Sequence, residues 1–113
     1  DAVKRDEQLG YAAVLKMKPY IVHMTAADYV RHPRYRYEHT LTNFLREDDV
    51  IRAVPMGEGI VDYETYFKAL KEIGYQGYIA YEMCEVLDGG GDIESLDRTA
   101  KESLAYIKSF ESR

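Results

Sequence analysis

The stretch IRAVPMGEGIVDYETYFKALKEIGYQGYIAYEM, residues 51–83, contains two strand-like apolar runs separated by one amphipathic helix. We predict strands at 51–54 and 78–83. The helix between them is predicted to begin after Asp62, a good N-cap residue, and to end at Gly74, a typical C-cap residue. Two strands joined through a helix usually run parallel. The stretch therefore predicts one unit of a parallel α/β sheet.

The flanking sequence predicts further elements of the same kind. We predict a helix at 2–16, interrupted at Gly10, and a third strand at 20–24. Residues 25–49 show no clear period and are predicted to be one long loop, a length typical of functional or disordered loops. A last amphipathic helix is predicted from one apolar stripe: Leu96, Ala100, Leu104 and Ile107.

Composition and charge exclude several classes of protein. The chain has 113 residues, a formal net charge of −5 and one cysteine, Cys84. An acidic domain is a poor nucleic-acid binder, and no apolar run reaches the length of a membrane span. A single cysteine forms no disulfide within the chain and is typical of a reducing compartment. We therefore expect a cytoplasmic protein that binds neither nucleic acid nor membrane.

The number of repeats suggests part of a larger fold. Histidine and carboxylate residues at strand ends are typical of β/α barrels, but a closed eight-stranded barrel takes about 250 residues. This chain contains about three strand repeats and begins at Asp1. We expect residues 1–113 to be one C-terminal fragment of such a barrel, with an independent small α/β domain as the alternative. Open strand edges associate readily, so we also expect a homo-oligomer.

His23 and Glu82 are the strongest candidates for chemistry. Each is predicted at the C-terminal end of a strand, two strands apart and therefore on the order of 10 Å from each other. Imidazole nitrogen and carboxylate oxygen are suitable ligands for Mn²⁺, Mg²⁺, Co²⁺ or Zn²⁺. The structural alternatives are a buried histidine bonded to a carbonyl and a carboxylate that is solvated or paired with arginine.

Other polar residues are candidates for binding a substrate. Glu58 lies between Gly57 and Gly59, and the glycines permit close approach of a ligand or simply a tight strand-to-helix connection. Arg31 and Arg34 lie in the predicted loop, where a guanidinium group could bind a sugar phosphate. That loop could equally be a lid, an oligomer contact or a solvated surface.

Several motifs together resemble a known family. They are VPMGEGIVDY at 54–63, ALKEIGYQG at 69–77, YEM at 81–83 and the tail at 89–110. These stretches resemble the sugar-phosphate isomerase/epimerase family, whose members have the xylose-isomerase-like TIM barrel. The resemblance covers about residues 20–110. It implies that this chain is the last three β/α repeats of a TIM (β/α)8 barrel, with parallel strands and flanking helices.

The resemblance also implies roles for individual residues. By position, His23 matches the metal-binding histidine of the sixth strand, and Glu82 matches the glutamate of the eighth strand, which binds metal and transfers protons. The two further ligands of such enzymes belong to earlier strands, so we expect the isolated chain to be inactive. The family implies metal-dependent isomerisation or epimerisation of a sugar or sugar phosphate through an enediolate. Tyr29 stands where epimerases of the family have a substrate-binding arginine, and Asp28, Arg31 or Arg34 could take the place of that arginine.

Two other functions remain open. One is a non-catalytic module on the same fold that binds carbohydrate or protein. The other, abasic-site endonuclease activity, is disfavoured because the positions of two zinc ligands hold Ile51 and Ala53. Neither side chain can bind zinc. Cys84 has no identifiable activating histidine, and we interpret it as a structural thiol.

Overall fold

Residues 7–112 are described by a computed structural model. Three α-helices pack beside a short parallel strand pair, and a long β-hairpin projects from the same core. The elements are α1 (Glu7–Met17), a 3-10 turn (Lys18–Tyr20), β1 (Met24–Ala26), β2 (Asp28–Glu38), β3 (Asn43–Val54), α2 (Tyr63–Glu72), β4 (Ile79–Tyr81) and α3 (Ile93–Ser109).

Helix α2 agrees with the sequence prediction at both ends. The Asp62 carboxylate accepts the backbone N–H of Thr65 at 3.2 Å, as an N-cap residue does. Gly74 adopts a φ of 71°, the left-handed conformation that favours glycine after a helix. The buried residues of α2 form the centre of the hydrophobic core; they are Tyr63, Phe67, Ala69 and Leu70.

Helix α1 differs from its prediction at one point. The helix continues through Gly10, which is buried, so the predicted interruption there is wrong. Glycine costs only about 1 kcal/mol relative to alanine inside a helix, and packing against the core can outweigh that cost. The end at Met17, two residues before Pro19, is as expected. The predicted residues 2–6 lie outside the described part of the chain.

The parallel sheet is smaller than predicted and has a different order. β1 pairs directly with β4, in the register Met24↔Ile79 and Ala26↔Tyr81. The prediction that these strands lie two apart is therefore wrong. The strand predicted at 20–24 is also displaced, because Pro19 and Tyr20 lie in the 3-10 turn and the paired strand starts only at Met24. Ile79 and Tyr81 pack against the core, as their alternation predicts.

The predicted loop at 25–49 is wrong, because most of it forms a β-hairpin. β2 and β3 pair antiparallel from Asp28↔Val54 to Glu38↔Asn43. The ladder is irregular between His32 and Arg34, where Pro33 has no N–H to donate. Beyond this irregularity both faces of each strand are in contact with solvent. The sequence of this part therefore lacks the apolar face by which a strand is usually recognised.

Helix α3 buries a different face from the predicted one. Leu104 is 50% exposed, whereas Thr99 and Ser103 are buried. The Ser103 hydroxyl accepts the backbone N–H of Met56 at 3.1 Å, which makes a polar residue suitable for this face. The ring of Phe110 lies 4.6 Å from that of Phe67 and joins α3 to the core. Of the predicted stripe, only Ile107 is buried.

Candidate functional site

Glu82 follows β4 at the carboxyl end of the parallel strand pair. Its backbone N–H donates to the carbonyl of Ala26 at 3.0 Å and extends the β1–β4 ladder by one residue. The side chain is exposed, and among residues 7–112 no hydrogen bond or ion pair engages its carboxylate. The carboxyl end of parallel strands is where barrel enzymes place their catalytic groups. The position of Glu82 therefore suits a catalytic base.

His23 lies at the other end of the strand pair. It precedes β1 and lines an apolar cavity of about 170 Å³ together with Val14, Met17 and Tyr66. In the observed register His23 is level with Tyr78, four residues before Glu82. This offset is about 13 Å along the strands at about 3.3 Å per residue. The prediction that His23 closes its strand beside Glu82 is wrong, and the structure does not bring the two together.

Asp28 organises the turn after β3 through its buried carboxylate. It is fully buried, and it accepts the backbone N–H groups of Gly57 and Gly59 at 3.0 Å each and of Val61 at 3.1 Å. A buried carboxylate is costly unless hydrogen bonds satisfy it. Because Asp28 uses the amides of both glycines, they are not available to a ligand. This contact explains the Gly-Glu-Gly motif structurally.

Tyr63 fastens the start of α2 to the end of β1. Its hydroxyl donates to the carbonyl of Ala27 at 2.5 Å and accepts the N–H of Ala27 at 2.9 Å. Burial raises the pKa of the Tyr63 phenol to about 12. Asp28 follows Ala27 directly. The two bonds of Tyr63 therefore also fix the position of the Asp28 carboxylate beside the glycine turn, the turn that contains Gly57 and Gly59.

Tyr29, in β2, contacts the loop that follows Glu82. Its phenol oxygen accepts the backbone N–H of Cys84 at 3.3 Å, and its carbonyl accepts the N–H of Ile60 at 2.9 Å. Burial raises the pKa of this phenol, so the hydroxyl stays protonated at neutral pH. Tyr29 thus touches both loops at this end of the sheet.

The predicted substrate-binding residues lie apart from Glu82. Glu58 lines a cavity of about 330 Å³ beside Arg98 and Glu102 of α3. Arg34 forms an ion pair with Glu47 at 3.0 Å, on a part of the hairpin about 20 Å beyond Asp28 at about 3.4 Å per residue. Arg31 also lies on the hairpin, opposite Ile51. The structure therefore does not gather these three residues around Glu82, and their substrate role stays a prediction.

Sequence reasoning missed Asp28 and Tyr63 as organisers of this region. One signal was available for Asp28, since an acidic residue directly after the apolar pair Ala26-Ala27 is unusual in a strand. Its partners lie 29 to 33 residues away and belong to a different element. Such a distant pairing leaves no trace in local periodicity.

A metal centre is not assembled among the described residues. In the part of the chain that the structure describes, no group of three or more His, Cys, Asp and Glu side chains is placed to hold an ion. Glu82 offers one carboxylate, and His23 is at the opposite end of the strands. These residues alone therefore do not fit the divalent ion that the resemblance implies.

A comparison with protein families decides the classification. The family described as xylose isomerase-like TIM barrel matches residues 4–110. The chain belongs to this family. Its α/β content and its parallel β1–β4 pair agree with the expected fold class. No match emerges among curated proteins or among solved structures. Within residues 7–112, no helix is long and apolar enough to cross a membrane.

Proposed function

We propose that the protein is an isomerase or epimerase acting on a small sugar or sugar phosphate through an enediolate. The xylose isomerase-like family includes such enzymes as well as endonucleases. The observation that carries the proposal is the exposed, unpaired carboxylate of Glu82 at the carboxyl end of β4. We further propose that residues 1–113 supply the last three repeats of the barrel.

Glu82 would move the proton in this reaction. Its carboxylate accepts a proton from the carbon next to the substrate carbonyl, and the C–H electron pair moves to form the enediolate. Return of that proton from Glu82 to the neighbouring carbon gives the isomer. The epimer requires a proton on the opposite face of the same carbon, and the resemblance implies that a glutamate of the fourth strand would donate it. A positioned base contributes about 10²–10⁴-fold to such a step.

The proposal includes a divalent ion, which would be Mn²⁺, Mg²⁺, Co²⁺ or Zn²⁺. The resemblance to metal-dependent isomerases supports this ion, whereas the described residues do not form a site for it. When bound, such an ion supplies charge stabilisation to adjacent oxygens of a sugar. Glu82 is the ligand that this end of the sheet offers. The resemblance implies His23 as a second ligand, but His23 lies at the opposite end of the strand pair from Glu82, and we do not propose it as a ligand.

The proposal is tested by proton exchange. The full-length protein is incubated in D₂O with aldoses, ketoses and their phosphates, with each of the four ions added, and deuterium next to the carbonyl is measured by NMR. We expect exchange with the wild type, a loss of at least about 100-fold in Glu82→Gln, and no change in Glu85→Gln. Glu85 is also an exposed carboxylate in the same loop and serves as the control. Undiminished exchange in Glu82→Gln would contradict the proposal.

A second candidate function is self-association through the hairpin. Tyr35, Tyr37 and Phe44 share one face of it and are each more than half exposed. We propose a second copy of this chain as the partner. The two strands carry five acidic and five basic residues, so their charges balance. Charge repulsion between two copies is therefore weaker at the hairpin than at the acidic remainder of the chain.

A further inference from the structure

Tyr29 connects the two loops that flank Glu82. Its carbonyl accepts the N–H of Ile60, in the turn after β3, and its phenol oxygen accepts the N–H of Cys84, two residues after Glu82. These bonds differ in length, 2.9 Å against 3.3 Å. The contact to Cys84 is therefore the weaker of the two and the easier to lose.

The backbone of Tyr29 is held rigidly, so its ring projects from a fixed point. Its N–H donates to the carboxylate of Asp28 at 3.0 Å, and that carboxylate is itself bound by three amides of the glycine turn. Across the hairpin, Tyr29 pairs with the fully buried Ala53. The hydroxyl is therefore a fixed attachment point for the backbone N–H of Cys84.

The backbone around Glu82 has one anchor on each side. Before the side chain, the N–H of Glu82 is bonded to Ala26 at 3.0 Å; after it, the N–H of Cys84 is bonded to the phenol of Tyr29. The chain then has no regular structure until Leu87 pairs with Ala53. Loss of the Tyr29 contact would leave the residues between Glu82 and Val86 with fewer restraints.

We propose that Tyr29 is a positioning residue for Glu82: its hydroxyl holds the backbone at Cys84 so that the Glu82 carboxylate keeps one direction at the carboxyl end of the sheet. This inference rests on the proposed function for its catalytic consequence, but not for the contact itself. A displacement of about 1 Å in a catalytic group can reduce a rate by about 10²-fold. One hydroxyl can thus matter without touching the substrate.

Tyr29→Phe tests the contact directly, because it removes only the hydroxyl. The first measurement is amide hydrogen exchange by NMR. We expect the Cys84 N–H to exchange about two- to tenfold faster in the variant, as the loss of one neutral hydrogen bond predicts. The N–H of Asp88, bonded to Ala53 at 2.8 Å, serves as an internal control and should be unchanged. Tyr20→Phe, which alters an exposed ring far from Glu82, should leave both rates unchanged.

The second measurement separates positioning from substrate contact. We expect Tyr29→Phe to lower kcat about tenfold with little change in KM, because the base is misdirected. Unchanged exchange at Cys84 would overturn the inference whatever the activity. A raised KM with unchanged kcat would also overturn it, since that pattern indicates substrate binding. If no sugar is turned over by the wild type, the proposed function fails, while the exchange at Cys84 still decides the role of Tyr29.

Discussion

The carboxylate of Asp28 and the backbone of Gly59 are in such close contact that a side chain at Gly59 would overlap Oδ1 of Asp28. The N–H of Gly59 donates to Oδ2 of the same carboxylate at 3.0 Å. The steric contact therefore selects glycine here, and the hydrogen bond keeps the carboxylate where a Cβ would have to lie. Gly57, in contrast, is selected by its φ of 94° and by the ring of Tyr106, which occupies the space a side chain would need.

Gly59→Ala should lower the free energy of unfolding by about 2 kcal/mol or more, because it displaces a buried carboxylate from its amides. Urea denaturation measures this. Gly91→Ala is the matched control: a Cβ there would meet Leu96 at 3.9 Å, an ordinary contact. We expect Gly91→Ala to change stability by no more than about 0.5 kcal/mol. Equal effects of the two substitutions would contradict the steric role of Asp28.

Tyr63 makes the free energy of unfolding depend on pH in the alkaline range. Its pKa is raised from 10.0 to about 12 in the folded protein. The unfolded state therefore loses this proton first as pH rises. The contribution of Tyr63 is complete below about pH 10 and declines as pH rises toward 12. We expect the urea midpoint of the wild type to fall across this interval.

Tyr63→Phe should be less stable than the wild type at neutral pH by about 1–3 kcal/mol, because the buried N–H of Ala27 loses its acceptor. The difference should shrink between pH 10 and 12. Tyr78→Phe, which alters a ring that is 86% exposed, should follow the wild-type curve. A constant difference between Tyr63→Phe and wild type at every pH would contradict the assignment.

Metal analysis of two variants tests whether His23 and Glu82 bind the same ion, as the resemblance implies, or lie too far apart to do so, as the strand register indicates. Paired ligation predicts that His23→Ala and Glu82→Gln both lose a bound divalent ion. The offset of about 13 Å along the strands instead leads us to expect loss in Glu82→Gln and retention in His23→Ala. The measurement is metal content of the full-length protein after dialysis. Loss of the ion in both variants would show that His23 reaches the Glu82 site.

The aromatic face of the hairpin predicts concentration-dependent association. Tyr37 and Phe44 pack edge to face with ring centroids 5.3 Å apart and are 52% and 62% exposed. We expect light scattering to show a dimer whose dissociation constant rises at least about tenfold in Tyr37→Ser/Phe44→Ser. The control is Arg34→Ser on the opposite face, where the side chain pairs with Glu47. A wild-type monomer at all concentrations would refute this proposal.

Local signals in the sequence predicted the helices better than the sheet. Asp62 and Gly74 fix α2 because capping depends on neighbours within four residues. The hairpin was not predicted because neither face of its outer part is buried. Arginine and tyrosine alternate from Arg34 to Tyr37, but that alternation marks no apolar face toward a core. Glu82 follows the end of its strand as predicted, whereas His23 precedes its strand instead of closing it. The catalytic and metal-binding roles of both residues stay predictions. Burial at Asp28 and Ser103 depends on partners 29 and 47 residues away, which no local pattern records.

The pairing of β1 with β4 has a consequence for how the chain acquires its structure. Met24 and Ile79 are 55 positions apart, whereas the hairpin closes through the short turn after Glu38. Isolated hairpins form in about 1–10 μs, and contacts between distant segments form more slowly. The exciton signal of the Tyr37–Phe44 pair in circular dichroism should therefore appear early in folding. Protection of the Glu82 amide from hydrogen exchange should appear in a later kinetic phase. The proposed catalytic end of the sheet would be among the last parts of the molecule to mature.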